Sequence, residues 1–122
     1  IDIDHFKEIN DTHGHVKADD LLKQLAKVIL KQIRKSDIAA RFGGEEFFIL
    51  LLETPLDKAR RLALRLQKAI HNDSILNKHR VAVSGGITQF KLKDTKKKLK
   101  QRVDKALYQA KNTGRNKFVV LR

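Results

Sequence analysis

The chain has no cysteine, no methionine and no tryptophan, and only one proline and one tyrosine among its 122 residues. Without cysteine, a disulfide scaffold, thiolate catalysis and cysteine-ligated zinc or iron–sulfur sites are excluded. Without methionine, Ile1 is not expected to be a natural start, and the sequence reads as part of a longer protein. Long apolar runs are missing too: residues 47–52, all Phe, Ile or Leu, fall far short of the roughly twenty needed to cross a bilayer. Acidic residues are scarce beside basic ones, 14 Asp+Glu against 27 Lys+Arg, giving a formal charge of +13. That excess points to an anionic partner, which leaves nucleic acid, a membrane surface and a nucleotide to be separated.

What is present suits one ordinary folded domain spanning residues 1–122. Apolar residues make up 41% of the chain and charged residues 34%, and the length allows a core without staples. Residues 20–34 carry Leu21, Leu22, Leu25, Val28, Ile29 and Ile33 on one side and Lys23, Lys27 and Lys31 on the other, the pattern of an amphipathic helix. Short, mainly apolar runs at residues 37–42 and 47–52 flank Gly43-Gly44, which predicts a β-hairpin. Thr54 and Pro55 predict a helix start, with Thr54 as cap, followed by a stripe of Leu56, Ala59, Leu62, Ala63, Leu66, Ala69 and Ile70. Residues 81–90 read as a strand in which Gly85-Gly86 marks a bulge or a close backbone approach. Leu99, Val103, Leu107 and Ala110 then mark a helix that stops at Gly114, and residues 118–121 a last strand. A hairpin inside this alternation predicts an α/β fold of the α+β type, with a mixed or antiparallel sheet under packed helices.

Asp2 and Asp4 stand where the opening strand ends, and Glu45 and Glu46 stand beside the glycine turn. Carboxylates at strand ends suit a divalent cation holding phosphates, because magnesium prefers one or two carboxylates plus substrate oxygens to a full protein cage. Successive strand side chains point to opposite faces, so Glu45 and Glu46 are not expected to serve one ligand. On these residues alone a solvated hairpin tip is the stronger reading.

The string Gly43-Gly44-Glu45-Glu46-Phe47 resembles the signature of GGDEF-domain diguanylate cyclases, in its GGEEF form. It is accompanied, in the family's order, by Asp2-Ile3-Asp4-His5-Phe6-Lys7, Asn10-Asp11-Thr12, Gly14-His15 and Ala39-Ala40-Arg41. Asp104, Ala106-Leu107-Tyr108, Ala110-Lys111 and Gly114-Arg115-Asn116 follow near the end. The resemblance implies a nucleotidyl-cyclase or palm-like fold, its mostly antiparallel central sheet flanked by helices and its signature on a β-hairpin. It implies condensation of two GTP into cyclic di-GMP and two pyrophosphates across a homodimer. It places two Mg²⁺, or Mn²⁺, on Asp2, the Ile3 carbonyl and Glu45, and makes Glu46 a position needed for activity. Backbone at His5 and Phe6, with Lys7, would line the phosphate path beside Gly43 and Gly44, while Lys111 and Arg115 would grip the outer phosphates. Their four-residue spacing suits forked phosphate contacts, and equally suits cations complementing a helix C-terminus. Asn10 and Asp19 would read guanine edges, although Asp19 also suits a helix N-cap.

Arg34-Lys35-Ser36-Asp37 fits the family's RxxD inhibitory motif five residues before Gly43, with Arg65 as a third contributor. Departures from the family pattern are Ala18 for the usual glycine, expected to shift a guanine-binding loop, His13 for an aromatic, and Leu52-Glu53 lacking a proline. The family's first helix and most of its first strand would precede Asp2, so the chain is expected to lack them. The resemblance further implies a sensory or regulatory domain in the parent chain, and a cytoplasmic location even where the parent is membrane-anchored. Residues 91–105 carry eight Lys/Arg against Asp94 and Asp104, but without interleaved aromatic residues no specific nucleic acid is expected. The alternative to an active cyclase is a catalytically silent receptor that binds cyclic di-GMP through Arg34 and Asp37.

Overall fold

A computed structural model describes residues 1–122. The order of elements is β1 (Asp2–Ile3), α1 (Phe6–Gln32), β2 (Ile38–Arg41), β3 (Phe47–Leu50), α2 (Leu56–Asn72), α3 (Ser74–Lys78), β4 (Val83–Ile87), α4 (Lys96–Asn112) and β5 (Phe118–Val120). β1 pairs antiparallel with β4, β2 with β3, and β4 runs parallel to β5. A single antiparallel bridge, Asp2 opposite Glu46, joins the β2–β3 hairpin to β1. The sheet is therefore mostly antiparallel, with β1 at its middle, as the α+β reading requires.

The main core lies on one face of this sheet. Leu21, Leu22, Leu25, Val28 and Ile29 of α1 and Leu66 and Ile70 of α2 pack there with Ile3, Phe47 and Val83. These helical residues recur every three to four positions, so one stripe of each helix is removed from water while its lysines stay outside. The opposite face is covered by α4 alone, which contacts β4 and β5 and buries Ala106 and Ala110. Close approach is possible because β4 carries glycines. A Cβ on Gly86 would lie 2.4 Å from the Val103 carbonyl oxygen and 2.6 Å from the Leu107 nitrogen, and one on Gly85 would enter the Phe118 ring. No helix is long and apolar enough to cross a membrane.

Several local expectations are corrected. Helix α1 begins at Phe6, not near residue 20, and is broken at Gly14, whose φ of 81° and ψ of 166° interrupt it. Its first segment is too short to show an apolar period. Asp19 is accordingly inside a helix rather than at an N-cap. Ala18 lies inside α1 and turns its methyl into the core, 1% exposed. Thr54 does not cap α2: its hydroxyl donates to the Leu52 carbonyl at 2.8 Å, and Pro55 is the cap residue. β4 is shorter than residues 81–90, because the chain leaves the sheet after Ile87 into a loop pinned by Arg102 on the Gln89 carbonyl and on Asp94. Helix α3 has no apolar period, and its only local signal is the cap residue Asp73, which accepts from the Leu76 N–H at 3.0 Å.

Candidate functional site

β1 has partners on both edges, and this places its carboxylates. Ile1 and Phe47 exchange two backbone bonds of 2.9 and 2.8 Å, and the Ile3 N–H donates to the Glu45 carbonyl at 3.4 Å. Between these rungs Asp2 faces Glu46. That is the narrow, non-hydrogen-bonded position of an antiparallel ladder, where Cα atoms stand roughly 4.5 Å apart and the two side chains share one face. Glu46, which the resemblance makes a position needed for activity, is the carboxylate directly across from Asp2. Glu45 lies in the turn beside it, half-buried, with its backbone tied to Ile3. Like charges directly opposite are unfavourable unless a cation joins them. Lys111 of α4 supplies one, its Nζ 2.9 Å from the Asp2 carboxylate, with Asp2 only 6% exposed.

The hairpin tip is held by its own sequence. Gly43 takes φ +66°, a conformation unfavourable for other residues, and Gly44 has nothing within 4 Å of where a Cβ would stand, so the tip is open. The Arg41 Nε donates to the Gly44 carbonyl at 2.9 Å and braces the turn, a role the sequence does not disclose.

Asp4 does different work from Asp2. Its two oxygens accept from the Ser84 hydroxyl at 2.6 Å and the Asn116 N–H at 2.9 Å, and it is buried. The expectation that Asp2 and Asp4 serve a cation alike is corrected: each Asp4 oxygen already accepts a hydrogen bond that ties the end of β1 to β4 and to the turn after α4. That turn contains Arg115 and Asn116, with φ of 60° and 46°, and His5 has φ of 55°. Three of the chain's five non-glycine residues with positive φ thus gather around Asp4. Such backbone costs about 1–3 kcal/mol per residue and persists where surrounding contacts over-determine it.

His5 is exposed and precedes the first turn of α1, where the amides of Phe6, Lys7 and Glu8 have no intrahelical acceptor. Lys7 is exposed on that turn; Asn10 is half-buried in the first segment of α1, and Asp19 is exposed in the second. Arg115 donates to the Lys111 carbonyl at 3.0 Å, so in this state its helix-end role is the one realised.

The RxxD pair has another character. Asp37 accepts from the Arg34 N–H and Nε through one oxygen, at 3.0 and 3.2 Å, and from the Arg34 Nη2 and the Leu52 N–H through the other, at 3.0 and 3.3 Å. The same Arg34 nitrogen also reaches the Leu52 carbonyl and Thr54. Hydrogen bonds from the Arg34 guanidinium hold the Asp37 carboxyl below its ordinary range, against the opposing effect of burial, and Arg34 is pushed upward in return. Arg65 donates to the side chain and carbonyl of Gln32, two residues before Arg34. These three residues form a clip between the end of α1, the end of the hairpin and α2.

No group of three or more His, Cys, Asp or Glu side chains converges to form a complete metal cage. The donor set that does exist fits a divalent cation completed by substrate oxygens. Asp2 and Glu46 share a face, the Ile3 backbone and Glu45 adjoin them, and a lysine ammonium already stands there as a cation.

Residues 1–117 match the family model described as diguanylate cyclase, GGDEF domain. The chain is 41% identical to diguanylate cyclase A of Treponema denticola over 124 aligned residues, which cover 98% of this chain and 33% of that protein. It therefore spans about a third of the length of that relative. Among solved structures it superposes on the active GGEEF domain of a diguanylate cyclase from Vibrio cholerae with a TM-score of 0.89 and 34% identity, covering 99% of this chain and 79% of that one. The GGDEF domain of DgcB from Caulobacter crescentus, solved with cyclic di-GMP, gives a TM-score of 0.89 and 29% identity, covering 98% and 73%.

Proposed function

Since the chain belongs to the GGDEF family of diguanylate cyclase domains, we propose that it condenses two GTP molecules into cyclic di-GMP, releasing two pyrophosphates. Each copy in a homodimer holds one GTP, and each 3′-hydroxyl attacks the α-phosphate of the other. The observation that carries this is the convergence of Asp2, Glu46, the glycine tip and Lys111 on one face of the sheet.

Asp2, the Ile3 carbonyl and Glu45 would hold two Mg²⁺, with Glu46 facing Asp2 across the ladder. Bound there, the ions supply charge neutralisation on the phosphates and acidify the 3′-hydroxyl. The first-turn amides of α1 at Phe6 and Lys7 receive phosphate oxygens, as helix N-termini do. Lys111 and Arg115 take the outer phosphates, and open space over Gly43 and Gly44 lets backbone approach the nucleotide. Asn10 and Asp19 select guanine, Asp19 by accepting from N1–H and the amino group. Cyclic di-GMP returns to Arg34, Asp37 and Arg65 and restrains the enzyme, where the exposed Arg34 meets phosphate or stacks on a base. A sensory or regulatory domain elsewhere in the parent protein controls dimerisation.

Chromatography of GTP and Mg²⁺ incubated with the chain, alone and within its longer parent protein, tests the proposal. Cyclic di-GMP is expected, and Glu45→Ala is expected to lose it. Full activity in that variant refutes the site. Cyclic di-GMP binding with no turnover, lost in Arg34→Ala, supports a silent receptor instead.

A further inference from the structure

The ion pair between Lys111 and Asp2 has a consequence beyond phosphate binding. Lys111 is the only side chain that forms an ion pair with Asp2, and it comes from α4, the helix packed on β4 and β5. The nearby Lys100 is tied to Asp104 at 2.8 Å and lies over the Phe42 and Phe48 rings. Asp2 is 6% exposed and stands in the narrow pair opposite Glu46, so withdrawing Lys111 would leave a buried carboxylate without its ion-pair partner and facing a second carboxylate. The same ammonium cannot hold Asp2 at 2.9 Å and also sit among phosphate oxygens.

We propose that Lys111 is an exchangeable counter-ion: it neutralises Asp2, opposite Glu46, while the site lacks a divalent cation, and is released to the nucleotide's phosphates when a divalent cation takes the Asp2 carboxylate. The exchange rests on the reading of this face as the metal–nucleotide site, and it deepens that reading by specifying how the two ligands communicate. A divalent cation alone has to displace Lys111, and metal-free nucleotide has to remove Lys111 from Asp2. Each ligand removes the obstacle to the other, so the two bind with positive coupling, and linkage makes that coupling reciprocal. The site then favours the metal–nucleotide complex over either component.

Two measurements on nucleotide-free protein test this. In the first, Mn²⁺ binding is followed by the EPR signal of the free ion for the wild type, Lys111→Met and Lys111→Arg. Lys111→Met keeps the side-chain length without the charge, and about tenfold tighter Mn²⁺ binding is expected, within the usual range of coupling between sites. Lys111→Arg retains a cation and is expected to stay within about threefold of wild type, a tolerance set by the same coupling range. In the second, amine labelling read by mass spectrometry follows Lys111 in the unaltered chain, which covers the case of a variant that does not fold. Its labelling is expected to rise severalfold with Mg²⁺, with Lys7 unchanged. Mn²⁺ affinity in Lys111→Met equal to or below wild type, or Lys111 labelling indifferent to Mg²⁺, overturns the exchange. Release of Lys111 by Mg²⁺ in a chain that makes no cyclic di-GMP would refute the cyclase reading while leaving the exchange standing.

Discussion

Two acid–base pairs in this small domain, Asp2 with Lys111 and Asp37 with Arg34, differ in what they are built to do. Asp2 has one cationic partner, arriving from a distant helix, and shares its face with a second carboxylate. Asp37 has both oxygens filled by four hydrogen bonds from Arg34 and Leu52. The first is an arrangement that a stronger cation can take over. The second is a clip whose acid has no acceptor left over, so a ligand there has to be met first by the exposed Arg34. The under-neutralised pair of carboxylates is where the proposed reactive site lies, and the saturated carboxylate of Asp37 ties the end of the hairpin to the end of α1.

The comparison is broken or sharpened most strongly at the open site. Glu45→Ala is expected to lower cyclic di-GMP synthesis by at least ~100-fold, the scale of losing a principal electrostatic stabiliser, while circular dichroism shows an unchanged fold. Wild-type activity there would mean that the open site is not the reactive one. Next comes Gly86→Ala, whose methyl meets α4 backbone at 2.4 Å. About 1–3 kcal/mol of destabilisation is expected in urea titration, together with reduced turnover, because α4 carries Lys111. Asp37→Ala removes an acceptor of four hydrogen bonds whose main donor, Arg34, stays exposed to water. It is expected to cost about 1–2 kcal/mol, and to abolish inhibition by added cyclic di-GMP while initial turnover persists. If turnover falls as steeply as in Glu45→Ala, the clip and the site are not separate devices.

Acid gives the smallest effect. Arg102, aided by the Lys91 N–H, pulls Asp94 down to about 2, and Arg34 lowers Asp37. Because both carboxyls titrate lower in the folded chain than unfolded, their contributions are complete above the ordinary carboxylate range. They are lost as pH falls through the folded values. Stability measured by urea at pH 7, 5, 4 and 2 is expected to hold to about pH 5 and then decline, and Asp94→Asn is expected to flatten that decline.

Much of this fold is legible in the sequence. The apolar stripes of Leu21, Leu22, Leu25, Val28, Ile29, Leu66 and Ile70 reappear as the core, and the glycine pairs reappear as an open hairpin tip and as the contact between β4 and α4. The first segment of α1 and all of α3 escape such a reading because segments of eight and five residues are too short to display a period. Thr54 defies its local pattern because its hydroxyl binds the Leu52 carbonyl and Arg34, partners no nearby residue type names. The site residues are visible as types and positions, but their pairing is not. That Glu46 faces Asp2, that Asp4 is consumed by Ser84 and Asn116, and that Lys111 reaches back 109 residues to Asp2 all depend on how β1 is sandwiched between β3 and β4.

The most direct test of the open site is the product of GTP and Mg²⁺ resolved by chromatography for wild type, Glu45→Ala and Asp37→Ala side by side. Cyclic di-GMP is expected from the wild type and from Asp37→Ala, and none from Glu45→Ala. Equal product from Glu45→Ala and wild type would contradict the assignment of the reactive centre to the hairpin tip beside Asp2.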